Sequence, residues 1–259
     1  MIKAAFLPGP IKNPQPERSN FLIALAGNPN VGKSTVFNRL TGLNQHTGNW
    51  PGKTVLKAEG TFSYRNHHYK LVDLPGTYSL YANSADEQTA RDFICFSRPD
   101  VTLVVCDATC LERNLNLVLQ ILEITDRVVV CVNLLDEAKR KSIHVNIDQL
   151  ASELGIPVIG TTARNGGGLL ELKNTLHDMV SGKIVTQPRQ VTYDQELENL
   201  ISKLENRLAP WLPEGINSRW VALRILERDF TILEHIMINR KPEKFPLQII
   251  QEGIALCLQ

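Results

Sequence analysis

Apolar positions along this chain fall into distinct rhythms that alternate. The runs at 21–26, 101–106, 127–133 and 157–161 are apolar almost throughout, which predicts strands buried on both faces. Between them, spacings of three and four predict helices over 33–42, 84–97, 112–124, 134–141, 147–154 and 169–181. One stretch alternates with period two: Leu56, Ala58, Phe62 and Tyr64 against Lys57, Glu59, Thr61 and Ser63. That is a half-buried strand, and Arg65-Asn66-His67 turns it into a second strand at 68–73 to make an antiparallel hairpin. Ser84 with Glu87 and Asn146 with Gln149 read as helix caps, and Gly42 and Gly155 as helix stops. Two segments carry no rhythm. Leu43 to Lys53, with its glycines and Pro51, predicts a functional loop with neither helix nor strand, and 77–83 predicts another loop. Repeated strand–helix units predict an α/β fold: a largely parallel sheet with helices on both faces and ligands at the carboxyl ends of its strands.

After a linker at 182–191 the rhythm becomes helical only. Thr192-x-x-Gln195 reads as the cap of a helix carrying Tyr193, Leu197, Leu200, Ile201, Leu204 and Leu208. Further helices follow at 218–237 and 246–258, the last with Pro246 in its first turn. The expected organisation is an extended arm at 1–20 punctuated by Pro8, Pro10, Pro14 and Pro16, an α/β domain at 21–182, and a small all-helical domain at 192–259.

Composition changes this picture little. The 259 residues are 43% hydrophobic and 21% charged, with a formal net charge of +1. A near-neutral chain offers no bulk electrostatic case for nucleic acid or an anionic membrane. Cys95, Cys106, Cys110, Cys131 and Cys257 are an odd set inside apolar runs, which reads as reduced, buried thiols in a cytosolic setting. No stretch approaches the length of apolar sequence that spans a membrane.

The chemistry gathers after the first strand. Gly27-Asn28-Pro29-Asn30-Val31-Gly32-Lys33-Ser34-Thr35 satisfies G-x-x-x-x-G-K-[ST] between a predicted strand and a predicted helix. The two glycines let successive N–H groups point at phosphate oxygens, and the helix adds its positive end. Lys33 reaches the β/γ-phosphates and the Ser34 hydroxyl can ligate Mg²⁺. Asp73-Leu74-Pro75-Gly76 closes a strand 40 residues after Lys33. Its carboxylate can hold the Mg²⁺ shell and the Gly76 N–H can meet a γ-phosphate. In Asn133-Leu134-Leu135-Asp136, also after a strand, the carboxylate can accept from guanine N1–H and its 2-amino group, or can merely cap a helix. Thr162-Ala163-Arg164 can turn backbone N–H groups toward the guanine carbonyl, and Thr54 can donate its hydroxyl to Mg²⁺ opposite Ser34.

These motifs, in this order and spacing, resemble the Ras-like small GTPases over residues 21–181. Gly48-Asn49-Trp50-Pro51-Gly52, Asp73 to Leu80, and Asp107-Ala108-Thr109-x-Leu111-Glu112-Arg113-Asn114-Leu115 narrow the resemblance to the N-terminal cytosolic G domain of the bacterial ferrous iron transporter family FeoB. The resemblance implies a Ras-like P-loop GTPase sheet flanked by helices and followed by a helical domain that slows nucleotide release. It implies slow hydrolysis of GTP to GDP and phosphate, coupled to a membrane permease for Fe²⁺ in the same protein at the cytoplasmic face of the bacterial inner membrane. Small cytosolic Feo proteins and a second copy of the chain are candidate partners; nucleic acid is not. The segment from Gly48 to Thr54, with Lys53 included, then lines the site together with the four motifs. The resemblance further implies K⁺ beside the phosphates, held by Asn30 and by backbone carbonyls of Gly48 and Trp50. Asn30 hydrogen-bonding inside its own loop stays open.

Two positions depart from the Ras-like pattern. Leu134 replaces the usual Lys, which removes a wall of the base pocket, and Thr77 replaces the water-orienting Gln. Arg39 and Arg91 read as solvated helix-surface residues rather than arginine fingers. His46, His67-His68, His144 and the Cys106/Cys110 pair carry no zinc or iron spacing. A ribosome-assembly or RNA-associated GTPase shares the core motifs but calls for a basic RNA-binding module, and an adenylate-type ATPase conflicts with Asp136.

Overall fold

The computed structural model describes residues 19–43, 45–50, 55–81, 84–233 and 236. Residues 1–18 of the predicted arm, Pro51 to Thr54 and the helix at 246–258 lie outside the described residues, whereas Asn20 already belongs to the first strand. Seven strands form one mixed sheet: β1 (Asn20–Gly27), β2 (Gln45–Asn49), β3 (Leu56–Tyr64), β4 (His67–Asp73), β5 (Val101–Asp107), β6 (Val128–Asn133) and β7 (Val158–Gly160). Their order is β2-β3-β4-β1-β5-β6-β7. β4, β1, β5, β6 and β7 run parallel, whereas β2 and β3 are antiparallel to their neighbours. The hairpin turn is tight because Arg65 and Asn66 both take positive φ, 48° and 64°, so Tyr64 pairs directly with His67.

α1 (Lys33–Thr41) and α6 (Leu169–Val180) cover one face over Ile23, Leu25, Leu103 and Val129. α2 (Ala85–Phe96) and α3 (Leu111–Ile124) cover the other over Ala24, Val104 and Val130. Successive residues of the central strands thus feed opposite cores, which is why those runs are apolar without interruption. α4 (Leu135–Arg140) and α5 (Ile147–Leu154) complete the G-type domain. The Ser84 and Asn146 hydroxyl and amide caps form as expected, accepting from Glu87 N–H and Gln149 N–H at 3.1 and 3.0 Å.

The helical domain follows with α7 (Gln195–Leu208) and α8 (Ser218–Leu226), and its Ile201, Leu204, Trp220 and Ile225 join the α2–α3 core directly. The stretch before it is less free than a linker. Gln187 and Arg189 donate backbone N–H bonds to Gly155 and Leu154 at 3.1 Å each.

Several sequence expectations need correction. Residues 45–49 are a strand, β2, paired with Leu56–Gly60. Gly48 is tolerated because β2 is the sheet edge. α7 is capped by Asp194, whose carboxylate accepts from Leu197 N–H at 2.9 Å, and not by Thr192. The helix expected over 218–237 breaks after Leu226, where Arg228 adopts φ 60° and Asp229 accepts from Thr231 N–H. Cys95, Cys106 and Cys131 are buried but Cys110 is exposed. Arg91 is fully buried, contrary to its reading as a surface residue.

Candidate functional site

The phosphate loop runs from β1 into α1. Its two glycines are required by the fold. Gly27 has φ 155° and a Cβ there would stand 2.6 Å from the Val105 carbonyl oxygen. Gly32 has φ 83° and a Cβ there would collide with Asn133 Nδ2. Both conformations and both contacts exclude a side chain. Asn28, Pro29, Asn30, Gly32, Lys33, Ser34, Thr35 and Gly76 line one cleft of about 510 Å³. The Asn28 carboxamide is 2% exposed, and neither of its polar atoms has a partner among the described residues.

β4 delivers Asp73 beside β1, in register with Leu25. Lys33 Nζ donates to the Asp73 carboxylate and, at 2.7 Å, to the Leu74 carbonyl. Burial pushes the Asp73 carboxyl up from its ordinary range, and outweighs the opposing pull of Lys33. The segment after Asp73 is held against the loop: Leu74 N–H donates to Leu25 O at 2.9 Å and Thr77 N–H to Gly27 O at 3.4 Å. Gly76 approaches so closely that a Cβ would sit 3.4 Å from Pro29. The donors suit a hard cation: the Ser34 hydroxyl lines the cleft, and the Asp73 carboxylate is bonded to Lys33, which lines it too.

β6 ends in Asn133, which is 1% exposed. Its Nδ2 donates to Val31 O at 3.1 Å; its Oδ1 accepts from Ala163 N–H at 3.0 Å and from the Thr161 hydroxyl at 3.1 Å. One carboxamide therefore ties the phosphate loop to the loop after β7. Of the N–H groups expected near a base carbonyl, those of Thr162 and Ala163 are engaged within the protein, to Gly167 O and Asn133 Oδ1. That leaves Arg164, whose own carbonyl takes a bond from Arg39. Leu134 holds φ 63° ahead of α4, and Leu135 packs where Gly160 leaves room for its Cδ1. Asp136 lies in the first turn of α4 without capping it, and its half-buried carboxylate has no partner among the described residues.

The glycine–tryptophan segment is elsewhere. Gly48 and Asn49 pair with Lys57 and Leu56 at the sheet edge, and Trp50 N–H donates to Val55 O at 2.9 Å. The Trp50 indole is buried against Phe93 of α2, edge to face at 5.3 Å. Neither Gly48 nor Trp50 lines the phosphate cleft, so Asn30 is not brought together with them here. Sequence reasoning missed Thr161, because a threonine at a strand end gives no signal.

Comparison with known proteins now bears on this geometry. Residues 21–176 match the family model for ferrous iron transport protein B, and residues 193–255 that for the FeoB cytosolic helical domain. The Fe(2+) transporter FeoB of Shigella flexneri is 42% identical over 211 residues, 80% of this chain and 27% of that protein. The Fe(2+) transport protein A/Fe(2+) transporter FeoB fusion protein of Porphyromonas gingivalis is 38% identical over 213 residues, 80% of this chain and 25% of that protein. The chain thus spans about a quarter of the length of these relatives. Among solved structures, the cytosolic domain of the T. maritima FeoB iron transporter in a GDP form superposes with a TM-score of 0.78 at 37% identity, covering 94% of this chain and 92% of that one. Phosphate loop, mixed sheet and trailing helices all coincide with what the matches require: this chain belongs to the FeoB family, as its G domain followed by its cytosolic helical domain.

Proposed function

We propose that this chain binds guanine nucleotide at the phosphate-loop cleft and hydrolyses GTP to GDP and phosphate, slowly, as the regulatory domain of a Fe²⁺ transporter. The observation that carries the proposal is one glycine-walled cleft lined by Lys33, Ser34 and Gly76, with the Asp73 carboxylate bonded to Lys33. The GDP form of the T. maritima relative supports the same ligand. Lys33 would turn from Asp73 to the phosphates, trading one oxyanion for another. The Gly76 N–H would donate to a γ-phosphate oxygen, and Asp136, without a partner among the described residues, would take the two guanine donors. Ser34, Asp73 and Thr54 would hold Mg²⁺, which supplies charge neutralisation for the phosphates.

K⁺ belongs to this proposal through Asn30. Negative charge grows over the β–γ bridge during hydrolysis and calls for a counter-charge that Thr77 and Arg39 do not supply. Gly48 and Trp50 would add carbonyls only if β2 left β3. The transporter reading places the chain at the cytoplasmic face of the bacterial inner membrane, joined to its permease, with small Feo proteins or a second copy as further partners and no nucleic acid.

The test is the GTPase rate in KCl against NaCl at equal ionic strength, for wild type and Asn30→Ala. Potassium should accelerate the wild type clearly and the variant little. Equal wild-type rates in both salts would remove K⁺, and absence of phosphate release in either would remove the GTPase reading.

A further inference from the structure

We propose that His67 and His177 form a binding site for one divalent transition-metal ion of zinc-like chemistry, which straps the β3–β4 hairpin to α6 at the end of β4 opposite Asp73. His67 opens β4, and His177 stands in the last turn of α6. The two rings lie 5.2 Å apart between centres and are inclined at 55°. Phe21 flanks His67 at 5.5 Å, and Tyr64 meets His177 edge to face at 6.2 Å, so each ring is held by an aromatic neighbour.

Hydrogen bonding leaves the same nitrogen to each ring. His67 Nδ1 is 2.8 Å from the Arg65 carbonyl oxygen, which can only accept, so the neutral ring carries its proton on Nδ1 and its lone pair on Nε2. His177 Nδ1 is 2.9 Å from the Tyr69 hydroxyl, whose oxygen can accept from Nδ1–H and leave the lone pair on Nε2. An oxygen acceptor on the far nitrogen is the partner that a metal-ligating imidazole uses to fix its ring and raise its basicity. The ligand must also be neutral. Burial first, then His67, Arg65 and Lys183, hold the His177 imidazole below its ordinary value, against the pull of Asp178.

Distance chooses the class of metal. An ion about 2.1 Å from each nitrogen lies about 3.2 Å from each ring centre, so a tetrahedral angle separates the centres by about 5.2 Å and a right angle by about 4.5 Å. The observed separation matches the tetrahedral value, the geometry of zinc. Imidazole nitrogen disfavours Mg²⁺ and Ca²⁺, which take oxygen. Among the described residues no three of His, Cys, Asp or Glu gather round one point. The Asp178 carboxylate is turned instead to Arg65 at 3.8 Å and Lys183 at 3.4 Å. Water would therefore complete the shell around two imidazoles, which makes an open, exchangeable site rather than a closed structural one. No spacing rule finds this pair, because a hairpin and a distant helix bring its members together only in the fold.

The experiment is calorimetric titration of the chain with ZnCl₂ in excess Mg²⁺, which occupies hard oxygen sites, with His68→Gln as the control. His68 adjoins His67 but projects from the other face of β4, its Nδ1 2.9 Å from the Ser63 hydroxyl. One Zn²⁺ should bind per wild-type chain. His67→Gln and His177→Gln should each weaken that binding at least about tenfold, and His68→Gln should stay within about twofold of wild type. Zn²⁺ should also raise the thermal midpoint of the wild type and not that of His67→Gln, since an ion bound only to the folded pair stabilises the fold. Should His177→Gln not fold, the imidazole nitrogen resonances of the wild type are the second measurement, and Zn²⁺ should shift Nε2 of both His67 and His177. Absence of Zn²⁺ binding in the wild type, full binding in His67→Gln, an equal loss in His68→Gln, or a shift at one of the two rings alone overturns the inference.

Discussion

Two side-chain-bearing residues at the site sit in the left-handed region, Asn30 at φ 66° and Leu134 at φ 63°. Asparagine accepts this conformation readily, whereas leucine does so at a cost on the order of 1 kcal/mol. At Leu134 the turn redirects the chain from β6 into α4, so that Asp136 enters the first helical turn with its carboxylate unpartnered among the described residues. Base choice should follow from that carboxylate. Asp136→Asn offers one acceptor and one donor to guanine's two donors, and the lost charge-assisted bond should cost about 1.5–3 kcal/mol. Xanthine nucleotides, which present a carbonyl in place of the 2-amino group, should bind the variant better than the wild type. Titrations with both nucleotides decide it, and unchanged guanine affinity would remove Asp136 from the site. The four motifs were legible as residue patterns, and the structure sets each of them at the end of a strand. The tie through Asn133 was not, because Thr161 and Val31 act through atoms that any threonine or any backbone possesses.

Among the elements, the β3–β4 hairpin is fixed to α6 by a cluster that no motif announced. His177 of α6 is buried, with Nδ1 2.9 Å from the Tyr69 hydroxyl and its ring 5.2 Å from that of His67. Tyr64 adds a hydroxyl bond to Asn174. Burial, and then His67, Arg65 and Lys183, hold the His177 imidazole below its ordinary value, while Asp178 opposes them. The sign follows. A histidine lowered on folding is favoured neutral, so its contribution is present above about pH 6.5 and is lost as pH falls below that through the folded value. Thermal midpoints should therefore drop between pH 7.5 and 5.5, and His177→Gln, which keeps a partner for Tyr69 without titrating, should flatten that drop. An identical pH dependence in the two proteins would exclude His177 as its source. Among the described residues element type was otherwise readable from periodicity, with β2 and the break after Leu226 the exceptions. The polar, glycine-containing sequence of β2 forms a strand only because β3 presents an open edge, which is tertiary information.

At the scale of the whole molecule, the G domain and the helical domain share one apolar core crossed by charge. Arg91 of α2, fully buried, donates to Asp92 at 2.9 Å, and across the interface to Asp229 at 3.2 Å and the Thr231 hydroxyl at 2.9 Å. Arg224 of α8, nearly as buried, pairs with Glu227 at 2.8 Å, approaches Glu123 of α3 at 3.7 Å, and stacks 5.0 Å over the ring of Tyr81, just beyond the Asp73–Gly76 segment. The sequence hid this, because an arginine in a helix reads as solvated until a partner 138 residues later covers it. Buried ion pairs add little net stability when whole but are expensive to break from one side. Asp229→Ala should therefore cost about 3 kcal/mol by leaving Arg91 short of its counter-charge within the interface. Arg91→Met in the same background should recover part of that loss, since the pair is then replaced by an apolar side chain of similar length. Chemical denaturation of the wild type, the single and the double variant measures both steps. A single variant within about 0.5 kcal/mol of wild type would mean that apolar packing alone joins the two domains.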